Sequence, residues 1–131
     1  MRRLFSIFGI ALIVVGCSSS PKITNTVTTW EPSAPIILTM SGDRTQNYHS
    51  EKFTITKSPF TVVWEFHSED AYRKGAMFYV MANNTDTGEK HQIANIMYLS
   101  FSNRVEIDDT GTFYLSVSNG EGNFSITVYG E

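Results

Sequence analysis

Few side chains in this sequence carry reactive chemistry. There is one thiol, Cys17, and there are three imidazoles, His49, His67 and His91. A single cysteine leaves no disulfide to form within the chain, so the fold must rest on its core and its strand ladders. The histidines lie far apart, without the spacing of a zinc site, and no metal is expected from them. Glu69-Asp70 and Asp108-Asp109 are adjacent acid pairs that read as solvated loop charge. Asn83, Asn84, Asp86 and Glu89 offer oxygens around Gly88, but their spacing is not that of an EF-hand loop. The sequence contains no Gly-x-Ser-x-Gly turn, no phosphate loop and no dinucleotide-binding glycine pattern. No enzymatic function and no cofactor are expected.

That leaves Cys17, whose chemistry depends on its setting. A lone cysteine is most often a buried, inert thiol. Here the thiol ends an apolar run and precedes Ser18-Ser19-Ser20, where no core is being built. Met1 to Arg3 is a short basic start, and residues 4–15 are apolar except for Ser6. The run is too short to span a bilayer as a helix, which takes about 20 residues. A basic start, a short apolar stretch and small residues before a cut are the layout of an export signal.

Val14-Val15-Gly16-Cys17 resembles the lipobox of bacterial lipoprotein signal peptides, although Val15 is bulkier than the small residue usual at its place. The resemblance covers about the first 20 residues. It implies a signal peptide over residues 1–16 and cleavage by signal peptidase II between Gly16 and Cys17. It further implies that the Cys17 thiolate takes a diacylglyceryl group, a thiolate being the stronger nucleophile than a hydroxyl. Acylation of the new amino group, for example with palmitate, follows in many bacteria. The implied partner is then the lipid bilayer, because two or three acyl chains anchor stably where one is marginal. Ser18 in place of Asp points, by the same resemblance, to the outer membrane of a Gram-negative envelope, with the domain held at the membrane or in the periplasm.

Charge narrows the partners further. The 131 residues carry 10 Lys and Arg against 13 Asp and Glu, a net charge of −3, and loss of Arg2 and Arg3 with the signal takes it to −5. An acidic chain without a basic patch argues against nucleic acid and against a polybasic hold on anionic lipid. Hydrophobic residues at 41% describe a globular chain rather than a disordered one.

Residues 17–35 hold the lipidated cysteine and a Ser/Thr/Pro-rich stretch, which reads as a tether. Trp30 stands out in it, as a plug on the domain's rim or a ligand-facing ring. From Ile36 the pattern turns to period two, and residues 36–131 are read as a β-sandwich domain. Strands are expected at 36–40, 53–56, 60–67, 76–82, 93–101 and 104–107, with a loop at 41–50. Residues 60–67 bury Phe60, Val62, Trp64 and Phe66 on one face and are expected to be the central strand. A charged connector at 68–75 has room for one helical turn. Residues 93–101 also fit helical spacing through Ile93, Ile96 and Met97, so a helix remains the rival there. Residues 111–118 and 123–129, joined through Asn119-Gly120, are read as a hairpin because both turn residues tolerate positive φ.

The expected fold is all-β, a small antiparallel sandwich or jelly roll. The C-terminal residues also resemble the last hairpin of small secreted jelly-roll modules of the CUB-like and pre-peptidase C-terminal kinds. Tyr48, Tyr72, Tyr98, Tyr114 and Tyr129 are candidates for an aromatic recognition face. Trp30, Tyr48, Tyr98 and Tyr114 are the residues singled out as its binding surface. The functional expectation is a membrane-anchored envelope lipoprotein acting as a non-catalytic binding or structural module for an envelope protein or glycan. Two alternatives stay open: an envelope inhibitor or phage-exclusion lipoprotein, and an accessory subunit of an envelope enzyme.

Overall fold

The computed structural model describes residues 30–68, 76–97 and 100–131. Pro32–Glu131 forms one compact unit. Every described element is a strand: β1 (Ile36–Gly42), β2 (Gln46–His49), β3 (Phe53–Ile55), β4 (Phe60–His67), β5 (Met77–Asn84), β6 (Lys90–Met97), β7 (Phe101–Ile107), β8 (Gly111–Gly120) and β9 (Asn123–Tyr129).

The strands pair in nested fashion. β1 lies against β9, β2 and β3 against β8, β4 against β7, and β5 against β6, all antiparallel. The nested strip is rolled so that β4 also pairs with β9, and β5 with β8. One sheet then has the order β1-β9-β4-β7, and the other β2-β8-β5-β6 with β3 also on β8. Two sheets packed face to face with this wrapping are a jelly-roll β-sandwich, in agreement with the fold class read from the sequence.

Period-two patterning explains why these segments are strands and which way they face. Phe60, Val62, Trp64 and Phe66 of β4 are buried, as are Phe124, Ile126 and Val128 of β9. Across from them Phe78, Val80 and Ala82 of β5 and Phe113, Leu115 and Val117 of β8 are buried as well. β4 lies between β9 and β7, the interior position expected of it. Aromatic rings tie the two sheets together. Phe66 stacks on Phe78 with centroids 5.1 Å apart and planes 12° apart, and Phe60 meets Phe113 at 4.9 Å.

Two expectations are corrected, and one rival reading is set aside. Residues 111–129 are not a hairpin: β8 and β9 are consecutive but belong to different sheets, and their buried faces look at each other across the core. The connection is an arch, with the positive φ at Glu121 (50°) rather than at Asn119 or Gly120. The Asn119 side chain holds the arch closed by donating to the carbonyls of Gly122 at 2.7 Å and Arg44 at 2.9 Å. Residues 41–50 are not all loop, because β2 runs inside them along β8. The helical rival at 93–101 gives way to β6 and β7. A register shift between Val80 and Met81 lets both Ile93 and Ala94 be buried, which breaks the alternation that marks a strand. The helical turn allowed for in the connector falls at residues 69–75, outside the described residues.

Candidate functional site

The two ends of the sandwich carry different chemistry. One end gathers the last residues of β4, β5's start, β6's finish and the first residues of β7 and β9. There a groove of about 480 Å³ is lined by Glu65, His67, Ser100, Ser102, Asn123 and Ser125, with Phe66, Phe101 and Phe124 at its base and edge. Ladder register explains the grouping. Ser125, Glu65 and Ser102 are cross-strand neighbours, and Asn123 pairs with His67 one step further on. The hydroxyl of Ser125 donates to Glu65 Oε1 at 3.0 Å. Apolar side chains sit at the same end. Met77 and Met97 are register partners on the outer face of their sheet, 39% and 52% exposed, and Phe101 is 52% exposed.

Ser100 Oγ lies 3.1 Å from His67 Nδ1, a spacing that a serine nucleophile and its base would show. The same oxygen accepts from the Ser68 N–H at 3.0 Å and lies 3.2 Å from the Ser68 carbonyl. It therefore bridges the ends of β4 and β7. Among the described residues, the contact with Ser100 Oγ is the hydrogen bond made by the His67 ring.

The opposite end is built around Asn84, which is 2% exposed at the end of β5. Its amide nitrogen donates to Asp109 Oδ2 and to the Thr110 carbonyl, each at 3.0 Å. Its side-chain oxygen accepts from the N–H groups of Asp86 at 2.9 Å and Thr87 at 3.2 Å, which sets the β5–β6 turn. Asp86 Oδ2 in turn accepts from the Thr112 N–H at 3.0 Å. His91 Nε2 lies 2.8 Å from Asp109 Oδ2 and 3.8 Å from Glu89 Oε2. The His91 and Asn84 hydrogen bonds hold the Asp109 carboxyl below its ordinary range. Ser58 bonds to Asp108, tying the same loop to the segment ahead of β4.

The residues singled out from sequence do not form one surface. Tyr48 lies on the inner face of β2, not on an outward recognition face. Its ring packs edge-on to Phe124 at 5.1 Å and its hydroxyl bonds to the backbone of Arg44. The small Gly42 makes room for that ring, since a Cβ there would lie 2.6 Å from Tyr48 Cζ. Tyr114 does face outward on β8, with the His49 ring 5.9 Å away. Trp30 is 36% exposed and lies in the segment before the sandwich unit. Tyr98, Gly16 and Cys17 fall outside the described residues. His67 is exposed, as its position on the wet face of β4 implied.

Sequence reasoning misses the meeting of His91, Asp109 and Glu89. Only the i, i+2 spacing of Glu89 and His91 at a strand start is visible in the chain, and Asp109 arrives through a sheet crossing. It misses the groove as well, because those residues come from three strands and only His67 stands out among them in sequence. No protein-family model matches the chain, and no characterised protein matches it at a significant level. The fold and site define a small jelly-roll sandwich with a polar groove and exposed apolar side chains at one end.

Proposed function

We propose that this chain is a lipid-anchored envelope lipoprotein whose jelly-roll domain is a non-catalytic binding module. Acylated Cys17 holds it to the membrane, residues 17–35 serve as the tether, and an envelope protein or glycan engages one end of the sandwich. The observation that carries the binding reading is the coincidence, at one end, of the groove at Glu65, His67 and Asn123 with the exposed Met77, Met97 and Phe101. Phe101, the exposed apolar member of the groove lining, is bordered by hydroxyls, an amide and a carboxylate, the composition of a recognition surface, and Met77 and Met97 add apolar area on the outer face of the other sheet at the same end. The anchoring reading is supported by the basic start, the short apolar run and Val14-Val15-Gly16-Cys17.

Two measurements test it. A Cys17→Ser chain should lose acyl label and leave the membrane fraction; retention at the membrane with an intact amino terminus overturns the anchor. Crosslinking in membranes should retrieve a defined partner with the wild type and not with Phe101→Asp or Met97→Asp. Equal retrieval by all three chains overturns the assignment of the binding end.

A further inference from the structure

We propose that Glu89, His91 and Asp109 form a site for a divalent first-row transition ion of the Zn²⁺ class, one that locks the β5–β6 turn to the β7–β8 loop. The ligand atoms are Glu89 Oε2, His91 Nε2 and Asp109 Oδ2, all within 4.8 Å of one another. Ligands held about 2.0–2.1 Å from a tetrahedral ion sit about 3.3 Å apart. The observed separations of 2.8 Å and 3.8 Å from His91 Nε2 lie on either side of that value. Shifts of about half an ångström bring these two pairs to it, and the third pair, Glu89 with Asp109, lies within 4.8 Å, inside the reach of the exposed Glu89 side chain.

Preorganisation comes from Asn84, which holds the Glu89 backbone on one side and the Asp109 carboxylate on the other. The Asn84 N–H donates to the Glu89 carbonyl at 2.8 Å, and the Gly88 N–H donates to the Asn84 carbonyl at 2.8 Å. The Asn84 side chain holds Asp109 and Thr110 from the other side. Asp109 Oδ2 has two lone-pair directions. Asn84 keeps one, and the ion takes the one now directed at His91. Oδ1 remains with the Thr110 N–H at 2.8 Å. The two side chains nearest each other, His91 and Asp109, are only 28% and 17% exposed, so both are already partly dehydrated.

The donor set selects the ion class. One imidazole nitrogen and two carboxylate oxygens suit zinc-like ions, whereas calcium takes six to eight oxygens. Asp86, Glu89, Asp108 and Asp109 outnumber Lys90 in these two loops, so the local field attracts a cation. Three protein ligands leave a fourth position for water. In the ion-free state the proton on Nε2 bonds to Asp109; the metal–nitrogen bond replaces that hydrogen bond, and the ring carries its proton on Nδ1 instead.

The test is calorimetric titration of ZnCl₂ and CaCl₂ into the full chain carrying Cys17→Ser, in detergent, so that no thiol competes. One equivalent of Zn²⁺ should bind, with the NMR signals of the His91 ring shifting while those of His49 and His67 stay in place. Glu89→Gln alters a side chain that is 65% exposed and leaves the hydrogen bonds of Asn84 intact, so the fold persists. It should weaken Zn²⁺ binding roughly tenfold or more, a loss typical of a damaged metal site. Absence of saturable Zn²⁺ binding overturns the proposal. So does binding unchanged in Glu89→Gln and His91→Gln, or Ca²⁺ binding as tightly as Zn²⁺.

Discussion

The side-chain amide of Asn84 and the carboxylate of Asp109 meet at 3.0 Å between two loops that are 25 residues apart in the chain. Asn84 is buried, and all of its side-chain hydrogen-bonding capacity is directed into the β5–β6 turn and the β7–β8 loop. Truncation to alanine would leave the Thr110 carbonyl and two turn N–H groups without their partner. Removing a buried hub of this kind costs about 2–4 kcal/mol, since each stranded polar group costs about 1–3 kcal/mol and water recovers part of it. Asn84→Ala should therefore lower the urea midpoint of the full chain with the slope unchanged. A change below about 0.5 kcal/mol would show that the loops do not depend on this amide.

Phe78 sits where both sheets converge. Its ring is stacked on Phe66 and lies 5.4 Å from the rings of both Trp64 and Phe124. Phe78→Ala should cost about 3–5 kcal/mol, because the lost ring leaves a cavity that three rigid aromatics cannot collapse into. Met97, one of the exposed residues at the groove end, offers the contrast. Met97→Ser should change stability by about 0.5 kcal/mol or less, the usual range for a surface position. Denaturation of both variants gives the comparison, and similar costs would contradict the placement of the core.

Legibility in the sequence differs by element. β4 is readable to the residue, because Phe60, Val62, Trp64 and Phe66 alternate without a break and Pro59 precedes them. β6 is not, because the bulge opposite Val80 and Met81 puts Ile93 and Ala94 side by side in the core and mimics a helical pattern. The arch at 120–122 resembles a hairpin in sequence because sequence shows that two strands follow each other, not whether they share a ladder. Alternation buries Phe113, Leu115 and Val117 equally well beside β9 or across from it. The candidate sites are hidden for a related reason. Glu65, Ser102 and Ser125 become neighbours only through register, and His91 reaches Asp109 only once the nested strip has rolled.

The Lys57 ammonium lies 2.9 Å from Glu131 Oε2, beside backbone bonds from Thr56 and Lys57 to the Glu131 carbonyl. The hydrogen bond and charge of Glu131 raise the Lys57 pKa above its ordinary value. A raised lysine pKa stabilises the fold fully below the unfolded-state value, and that contribution is lost as pH rises through the folded-state value. Both groups are exposed, so the effect is small and salt-sensitive. Wild type should exceed Lys57→Met in melting temperature slightly at neutral pH, and the gap should close as pH rises through and beyond the ordinary lysine range. A gap that widens with rising pH would mean that the Glu131 carboxylate does not favour the charged form of Lys57 in the folded chain.

Gly122 closes the β8–β9 arch directly over the Phe66 ring. A Cβ on Gly122 would lie 2.3 Å from Phe66 Cε2, 2.4 Å from Cζ and 2.9 Å from the His67 carbonyl oxygen. The Phe66 ring has nowhere to retreat, because it is 2% exposed and stacked on Phe78. Gly122→Ala should thus cost about 1–3 kcal/mol by overpacking. Phe66→Leu removes the two offending ring atoms and leaves the His67 carbonyl in place. In that background the cost of Gly122→Ala should fall by roughly half, giving a coupling energy of about 0.5–1.5 kcal/mol between positions that touch. The cycle needs four urea titrations. Strict additivity would mean that the arch yields by moving its backbone, and that Phe66 does not set the path by which the chain crosses from one sheet to the other.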